Sequence, residues 1–315
     1  MAPSIISHSE VDQFLACERR HYYAFGKPTI DEDGNPATGL EPKNVSDGLF
    51  RGNAGHLALE TYYKHLAPHS IKGVPSDEVF AEAKKLALAT VTGAMATNPE
   101  RMDMLLGLHV VLNAYFDYWL NDSNGDRNWQ FLAVETEFRE VIDGDIEFPF
   151  KPDLIKRHRY NGRVVVVDHK FLANLYTPQE IAIQPQLAKY VGALRNLGYE
   201  VDDAEYDLVC HRVLKTKPYD SAQSLRRIPL KLTKKRIETS LEEQHSVVRS
   251  IALFKSEPEI WAQEVRRAAN SYNCKHCSFL NMCVADLNGE DTSVMARYEF
   301  RANTYGYDKK NEVEV

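Results

Sequence analysis

Four of the five cysteines in this 315-residue chain lie towards its two ends. Cys17 falls in an N-terminal segment with helical spacing, and Cys274, Cys277 and Cys283 lie close together about 257 residues later. Gaps of two and then five residues allow three thiolates to converge on one metal centre, which still needs a fourth ligand. Because Cys210 lies in an apolar, strand-like run, Cys17 is the natural candidate. A metal held in this way would join both ends of the chain.

Three states of these thiols are open from the residues alone: a [4Fe–4S] cluster, a structural zinc ion, or free thiols in the core. Four thiolates suit both zinc and iron–sulfur centres. Structural zinc usually takes its ligands from one short module, whereas Cys17 and Cys274 are far apart in the sequence. His276 is an alternative ligand.

Composition indicates a soluble globular protein, with 43% hydrophobic and 26% charged residues. We find no apolar run long enough to span a membrane and no features of a signal peptide, so a cytoplasmic location is expected, where thiols stay reduced. The net charge is −7, yet residues 211–236 contain nine Lys/Arg against one acid. This local excess is compatible with a polyanion partner, and the alternative is a solvated basic face. The nine are Arg212, Lys215, Lys217, Arg226, Arg227, Lys231, Lys234, Lys235 and Arg236.

Hydrophobic periodicity predicts an α/β chain in which helices precede and follow a group of strands. The predicted helices cover 9–24, 47–66, 76–97, 100–121, 177–197, 233–255 and 257–271. The predicted strands cover 129–141, 146–158, 163–168 and 205–214. From residue 286 the sequence is polar and aperiodic, which predicts a loosely attached tail to residue 315.

A predicted hairpin carries the strongest candidate for chemistry. If Asn161-Gly162 forms a two-residue turn, Asp153 lies opposite Lys170. Asp153, Asp168 and Lys170 then share one face of the sheet, as cross-strand partners and alternate residues do. Two carboxylates beside an ammonium predict a divalent-cation site. The alternative is strand-end charges facing solvent, although the valines on this face place the acids at the rim of a buried surface.

These residues resemble the D…(D/E)xK signature of the PD-(D/E)xK nuclease superfamily, here Asp153 followed by Asp168-His169-Lys170. Further motifs are similar to those of its RecB-like iron–sulfur branch, which includes CRISPR-associated exonucleases and AddB-type nuclease domains. They are Gly52-Asn53-Ala54-Gly55-His56, Gln186-Leu187-Ala188-Lys189-Tyr190, the start Cys17-Glu18-Arg19-Arg20-His21-Tyr22-Tyr23 and the cysteine trio. The resemblance runs in order from about residue 10 to 285.

The resemblance implies a restriction-endonuclease-like core, a small mixed β-sheet flanked by helices, at about 129–215. It adds a helical insertion at about 68–125 and an iron–sulfur subdomain from 10–24 plus 257–285, within one domain of residues 1–285. With the distant fourth cysteine, it favours a [4Fe–4S] cluster over zinc.

The resemblance also assigns roles to the site residues. His56, Asp153, Asp168 and the main-chain carbonyl of His169 would hold Mg²⁺ or Mn²⁺, and Lys170 would orient water or stabilise charge. Without the other motifs, a satisfied core histidine is the preferred interpretation of His56.

Gln186 and Tyr190 share a helix face and would contact the scissile nucleotide, although ordinary packing would explain the same spacing. Tyr190 or Tyr22 is expected to stack on DNA bases. Glu135 is expected only to support the metal ligands.

The expected function is a metal-dependent deoxyribonuclease, favoured as a 5′-to-3′ exonuclease on single-stranded ends in recombination, repair or spacer processing. Expected partners are DNA and a helicase, integrase or recombinase. Two alternatives stay open: a non-hydrolytic DNA-end-binding subunit with a structural cluster, and a structural zinc protein with an unrelated site.

Overall fold

The computed structural model describes residues 4–31, 33–213 and 216–303. Leu214, at the end of a predicted strand, Lys215 of the basic segment and residues 304–315 of the predicted tail lie outside the described residues. The chain divides into two compact units. Unit 1 comprises Met1–Val45, Arg139–Pro149 and Glu242–Val315, and unit 2 comprises Ser46–Phe138 and Phe150–Leu241.

Helices and strands alternate in blocks, as the sequence periodicity predicts. The α-helices are α1 His8–Ala16, α2 Glu18–His21, α3 Asp47–Lys72, α4 Asp77–Thr97, α5 Met102–Asn121, α6 Pro178–Ile183, α7 Gln186–Asn196, α8 Ser221–Ser224, α9 Lys234–Ser256, α10 Pro258–Glu264, α11 Ser271–Lys275, α12 Leu280–Leu287 and α13 Ser293–Glu299. The strands are β1 Ser4–Ile5, β2 Pro28–Ile30, β3 Pro36–Thr38, β4 Leu40–Pro42, β5 Trp129–Val134, β6 Phe138–Ile142, β7 Ile146–Phe150, β8 Leu154–His158, β9 Val164–Leu172, β10 Asp203–Cys210, β11 Leu225–Leu230 and β12 Phe300–Ala302.

Unit 2 is built on a five-stranded mixed sheet with the strand order β11-β10-β9-β8-β5. The pair β9 and β10 is parallel, and the other neighbours are antiparallel. A parallel pair needs a crossover connection, which α6 and α7 provide. The apolar run Val164–Val167 of β9 is buried on both faces, as expected for a central strand.

Helices α3, α4 and α5 pack in the same hydrophobic core as one face of this sheet. Tyr62 and Leu66 of α3 and Leu112 of α5 are buried in one cluster with Val165 and Val167 of β9. The segment expected to be a helical insertion therefore shares the core of unit 2 and helps to cover the sheet.

Several predicted elements are longer than the observed ones because each is interrupted. The predicted strand 129–141 breaks at Glu135, whose φ is 48°, and the predicted strand 146–158 breaks before β8. The predicted helix 177–197 breaks at Gln184 and Pro185, and the N-terminal helix breaks at Cys17, which is extended (φ −171°). Pro185 and Pro152 mark two of these interruptions, because proline lacks the amide proton that a helix or a central strand uses, whereas the breaks at Cys17 and Glu135 have no sequence signal of this strength.

The predicted hairpin register is wrong by two residues. Leu154 pairs with Val167 and Ile155 with Val166, and the connection is a four-residue loop, residues 159–162, rather than a two-residue turn. Continuing the register places Asp153 opposite Asp168 and not opposite Lys170. Because side chains alternate with a period of two, this shift leaves Asp153, Asp168 and Lys170 on the predicted face.

Unit 1 brings the two ends of the chain into one hydrophobic cluster. Tyr23 near the N-terminus is buried with Trp261, Phe279 and Phe300. The segment predicted to be a loose tail from residue 286 differs from expectation, since α13 and β12 follow and β12 pairs antiparallel with β4. None of the helices in the described part of the chain is both long and apolar enough to cross a lipid bilayer.

Candidate active site

The two predicted catalytic carboxylates meet on adjacent strands of unit 2. Asp168 lies in β9 and is 2% exposed, and Asp153 lies in the turn that leads into β8. The backbone N–H of His169 donates a 2.6 Å hydrogen bond to Asp153 Oδ2, which fixes this carboxylate against β9. Both carboxylate oxygens of Asp168 lie close to Lys170 Nζ, at 3.1 Å for Oδ1 and 2.8 Å for Oδ2.

His56 and Glu135 complete a group of candidate metal ligands with Asp153. The His56 Nδ1 atom lies 3.5 Å from Asp153 Oδ1 and 3.9 Å from Glu135 Oε1, and one ligand atom from each residue lies within 4.8 Å of the others. Glu135, expected only as a supporting acid, thus lies within this group. Its N–H donates to the Asp153 carbonyl oxygen at 3.0 Å, which ties the two acids together.

A close helix–strand approach positions His56. A Cβ atom added to Gly55 of α3 would lie 2.5 Å from the Phe171 ring of β9. Only glycine therefore allows α3 to come this near β9. The His56 ring in turn contacts Phe171 edge-on, with 5.8 Å between ring centroids. Gly55 is therefore required at this position for steric reasons, which the sequence spacing of the motif at 52–56 does not indicate.

Lys170 connects the carboxylates to α7. Its Nζ lies 2.8 Å from Asp168 Oδ2 and donates a 2.9 Å hydrogen bond to Gln186 Oε1. Gln186 Nε2 donates to the Tyr190 hydroxyl at 3.1 Å. The structure thus joins four of the sequence-predicted site residues in one hydrogen-bonded series.

The surroundings shift the pKa values of the two aspartates in opposite directions. Burial raises the pKa of Asp168, and the charge of Asp153 adds to this effect against the opposing influence of Lys170. Burial also acts to raise the pKa of Asp153, but the His56 ring and the His169 N–H outweigh it and leave this pKa below its usual value. Asp153 is therefore the more readily ionised of the pair.

The neighbouring acids raise the pKa of each basic group at the site. Burial lowers the pKa of Lys170, but Asp168 and Asp153 raise it by more, so its pKa is above the ordinary value. Burial likewise lowers the pKa of His56, and Asp153, Asp168 and Glu135 together raise it above 6.5. Lys151 Nζ lies 2.5 Å from Glu135 Oε2, although burial and Asp153 still leave the pKa of Glu135 raised.

The His169 ring lies away from the carboxylates. It stacks on Tyr63 of α3 with an interplanar angle of 7°, and its Nδ1 lies 3.5 Å from Asp207 Oδ2. In β9 the side chain of His169 points to the face opposite that of Asp168, since successive residues alternate. Only the main chain of His169 is available at the site.

The residues at this centre fit a divalent cation. Carboxylate oxygens and one imidazole nitrogen are ligands that suit Mg²⁺ and Mn²⁺. The charge of Asp153 acts to raise the pKa of both Asp168 and Glu135, and a bound cation would relieve this repulsion between neighbouring carboxylates.

The four end cysteines line one cavity of about 120 Å³ in unit 1. Cys17 accepts a hydrogen bond from the Ala268 N–H at 3.4 Å, and burial raises the pKa of the Cys277 thiol. In the described part of the chain, no three cysteine sulfurs lie within 4.8 Å of one another. The structure therefore brings the four residues to one cavity without a tight four-sulfur group.

Two expectations about DNA contacts need correction. Tyr22 and Tyr190, expected to stack on bases, are 8% and 6% exposed, and the Tyr190 ring stacks on Phe150 instead. Within the basic segment, Arg227 is buried and paired with Asp126 and Asp207. The alternating sequence of a strand does not indicate which of its Lys and Arg side chains point into the core.

Comparison with known proteins identifies the family. Residues 5–284 match the family model of the PD-(D/E)XK nuclease superfamily, so the chain belongs to that superfamily. No curated protein matches the chain significantly. The family consists of nucleases that use divalent metals, in agreement with the site.

Proposed function

We propose that this protein is a Mg²⁺- or Mn²⁺-dependent deoxyribonuclease of the RecB-like iron–sulfur branch, acting as an exonuclease on single-stranded DNA ends. The observation that carries the proposal is the group formed by His56, Glu135 and Asp153 beside the pair of Asp168 and Lys170. Such a constellation matches phosphodiester hydrolysis, in which ligands, water and a cation must converge on one phosphate.

Each residue of the site would have a separate role in hydrolysis. His56, Glu135, Asp153 and Asp168 would hold the metal, which would supply Lewis acidity for the phosphate and lower the pKa of a bound water. Lys170 would orient that water or stabilise developing negative charge. Because its pKa is raised, Lys170 is a poor general base, which supports the orienting role. Gln186, held by Tyr190, would fix the position of the Lys170 ammonium.

We also propose that Cys17, Cys274, Cys277 and Cys283 bind a [4Fe–4S] cluster. A single zinc ion draws its four sulfurs close together, whereas a four-iron cluster keeps them further apart and needs more space. The proposal is supported by the cavity of about 120 Å³ that all four cysteines line and by the wide sequence separation of Cys17 from the other three. Anaerobically purified protein should show a broad absorption band near ~400 nm and bound iron and sulfide, whereas bound zinc without that band would exclude the cluster.

A cleavage assay tests the hydrolytic proposal. Single and double strands labelled at the 5′ or 3′ end are incubated with Mg²⁺ or Mn²⁺, and early release of the 5′ label would support 5′-to-3′ polarity. Lys170→Ala and Asp168→Ala should each lower the rate about 100-fold or more, because the first removes an ammonium that would stabilise negative charge and the second removes a proposed metal ligand. Lys84→Ala is the matched control, since Lys84 pairs with Asp117 outside the site.

Two outcomes would contradict the proposal. Cleavage at the wild-type rate in both site variants would place the chemistry elsewhere. Binding of DNA ends without cleavage under any metal condition would instead support the non-hydrolytic end-binding alternative. A role in recombination, repair or spacer processing and a helicase, integrase or recombinase partner are proposals that rest on the branch assignment.

A further inference from the structure

A buried row of polar residues crosses three strands of the unit 2 sheet, on the face opposite Asp168. His169 of β9 pairs in register with Asp207 of β10, and Asp207 pairs with Arg227 of β11. Side chains of residues paired in this way point to one face of a sheet. His169 is 2% exposed, Asp207 is fully buried and the side chain of Arg227 is 6% exposed. The row therefore lies in the core of unit 2.

Asp207 lies at the centre of this row and contacts both of its neighbours. Its Oδ2 atom lies 3.5 Å from Nδ1 of His169 and 3.0 Å from Nε of Arg227. The Tyr115 hydroxyl of α5 donates a 2.6 Å hydrogen bond to the same oxygen. The His169 ring also stacks on Tyr63 of α3, with 5.6 Å between the ring centroids. Both the acid and the aromatic ring therefore restrain the imidazole.

Packing alone does not require an imidazole at residue 169. A phenyl ring would stack on Tyr63 and fill the same space, and an apolar side chain is buried at lower cost than a polar one. What the imidazole adds is a nitrogen close to Asp207 Oδ2. The contact between His169 and Asp207 therefore needs an explanation other than the filling of the core.

The main chain of His169 lies where β9 loses one of its neighbours. The pairing of β9 with β8 ends at Val167, opposite Leu154, whereas its pairing with β10 continues to Leu172. Beyond Val167, the His169 N–H donates to the Asp153 carboxylate at 2.6 Å. The N–H and C=O of one strand residue point to the same edge, so the carbonyl expected at the metal faces the side of Asp153. The position of the main chain at 169 therefore affects both groups.

We propose that Asp207 is a positioning residue for the metal site and acts through the ring of His169. Asp207 would restrain the imidazole, and the imidazole would restrain the main chain that binds Asp153. Residues that hold metal ligands from behind typically contribute about 10–100-fold to metal affinity. The inference rests on the proposed metal-dependent function. It adds to that function a residue on the opposite face of the sheet.

Asp126 provides a matched control within the same buried network. It is 1% exposed, and its Oδ1 atom lies 2.8 Å from Nη2 of Arg227. Asp126 and Asp207 each accept a hydrogen bond from a tyrosine hydroxyl. In the described part of the chain, only Asp207 of these two acids forms an ion pair with His169. Asparagine at either position removes a charge from Arg227 and conserves volume, so the two variants differ in the contact with His169.

Calorimetric titration with Mn²⁺ measures the effect on the metal site in the absence of DNA. Asp207→Asn should weaken Mn²⁺ binding about tenfold or more, whereas Asp126→Asn should stay within about twofold of the wild type. His169→Phe keeps a ring that can stack on Tyr63 and should weaken binding to a similar extent. Adding Asp207→Asn to His169→Phe should cause little further loss, because both changes break one contact.

Hydrogen exchange of the His169 amide tests the same inference in metal-free protein. In Asp207→Asn this amide should exchange about tenfold or more faster relative to the amide of Val165 in the same strand, because its bond to Asp153 is loosened. In Asp126→Asn the ratio of the two exchange rates should stay unchanged. Absence of Mn²⁺ binding by the wild-type chain would contradict the proposed nuclease, and the exchange ratio would then decide the role of Asp207.

Three results would overturn the positioning role. The first is wild-type Mn²⁺ affinity in both Asp207→Asn and His169→Phe, and the second is an unchanged exchange ratio in Asp207→Asn. The third is equal weakening of Mn²⁺ binding in Asp126→Asn, which would assign the effect to the stability of the buried network. If Asp207→Asn does not fold, His169→Phe decides, because it leaves both acids paired with Arg227.

Discussion

Glu135 brings its carboxylate to the proposed metal ligands from a left-handed backbone conformation, with φ of 48°. A non-glycine residue in this region carries strain, and such residues are concentrated at functional sites. The alternating pattern of residues 129–141 predicts a continuous strand and does not predict its interruption at Glu135. The sequence therefore predicts an acid near the site but not its participation in the ligand group.

Glu135→Gln should weaken Mn²⁺ binding roughly tenfold or more, because the group loses one of its carboxylates. The same change should leave the free energy of unfolding of metal-free protein unchanged or higher, since it removes repulsion between Glu135 and Asp153. Calorimetric titration with Mn²⁺ and urea unfolding measure the two effects. Asp117→Asn, an exposed acid paired with Lys84, is the control. Equal metal affinity in Glu135→Gln and wild type would remove Glu135 from the ligands.

His56 should release a proton when metal binds near pH 7. Its pKa is raised above 6.5 by the surrounding carboxylates, so a substantial fraction is protonated there, and a nitrogen ligand must lose that proton. The proton release should decline to zero as pH rises past the folded-state pKa, and metal affinity should rise over the same interval.

Titration of Mn²⁺ in buffers of different ionisation enthalpy counts these protons. His56→Gln should lose the release near pH 7, whereas His65→Gln, on the same helix but outside the ligand group, should retain it. Retention of the full release in His56→Gln would show that another group supplies the proton.

At the scale of elements, the approach of α3 to β9 depends on a single missing methyl group. A Cβ on Gly55 would lie 2.5 Å from the Phe171 ring, while one on Gly52, three residues earlier in α3, would meet nothing within 4 Å. The two glycines thus form a matched pair that differs in surroundings and not in secondary structure.

Gly55→Ala should destabilise unit 2 by about 1–3 kcal/mol through overpacking, and it should weaken Mn²⁺ binding by moving His56. Gly52→Ala should stabilise by about 0.5–1 kcal/mol, the usual gain in a helix interior. Urea unfolding and metal titration measure both. Adding Phe171→Leu to Gly55→Ala should restore part of the loss, and no rescue would argue against this contact as the cause.

The face of the sheet that carries Asp153, Asp168 and Lys170 could be predicted from the sequence, because successive side chains of a strand point to opposite faces. The observed register differs from the predicted one by two positions, yet Asp153, Asp168 and Lys170 keep their common face. Element ends were less predictable, since Cys17, Glu135 and Asp153 each lie where a periodic pattern is interrupted. A periodic pattern reports which residues are buried and contains no information about where the backbone turns.

At the scale of the molecule, the two candidate centres belong to different units. The end cysteines lie in unit 1, and the proposed catalytic carboxylates lie in unit 2. Cys283→Ser should therefore destabilise unit 1 and reduce DNA binding before it affects Mn²⁺ binding in unit 2.

Hydrogen exchange resolved by peptide tests this division. In Cys283→Ser, protection should fall in 257–285 and persist in β9. Cys210→Ser is the control, because Cys210 lies in unit 2 and its thiol donates to the Ala173 carbonyl at 3.4 Å. A stably folded, fully active Cys283→Ser protein without a cluster would contradict the assignment.

Unit 1 is assembled from three separate stretches of sequence, while unit 2 is complete once residue 241 has been made. Domains tend to fold in the order in which they leave the ribosome. The sheet with the proposed catalytic carboxylates can thus form before the cysteine trio has been translated. Cys17 is synthesised long before Cys274, Cys277 and Cys283, with which it is proposed to bind one metal centre. On the proposed assignments, the nascent chain would acquire the hydrolytic unit first, and loading of the proposed [4Fe–4S] cluster would follow.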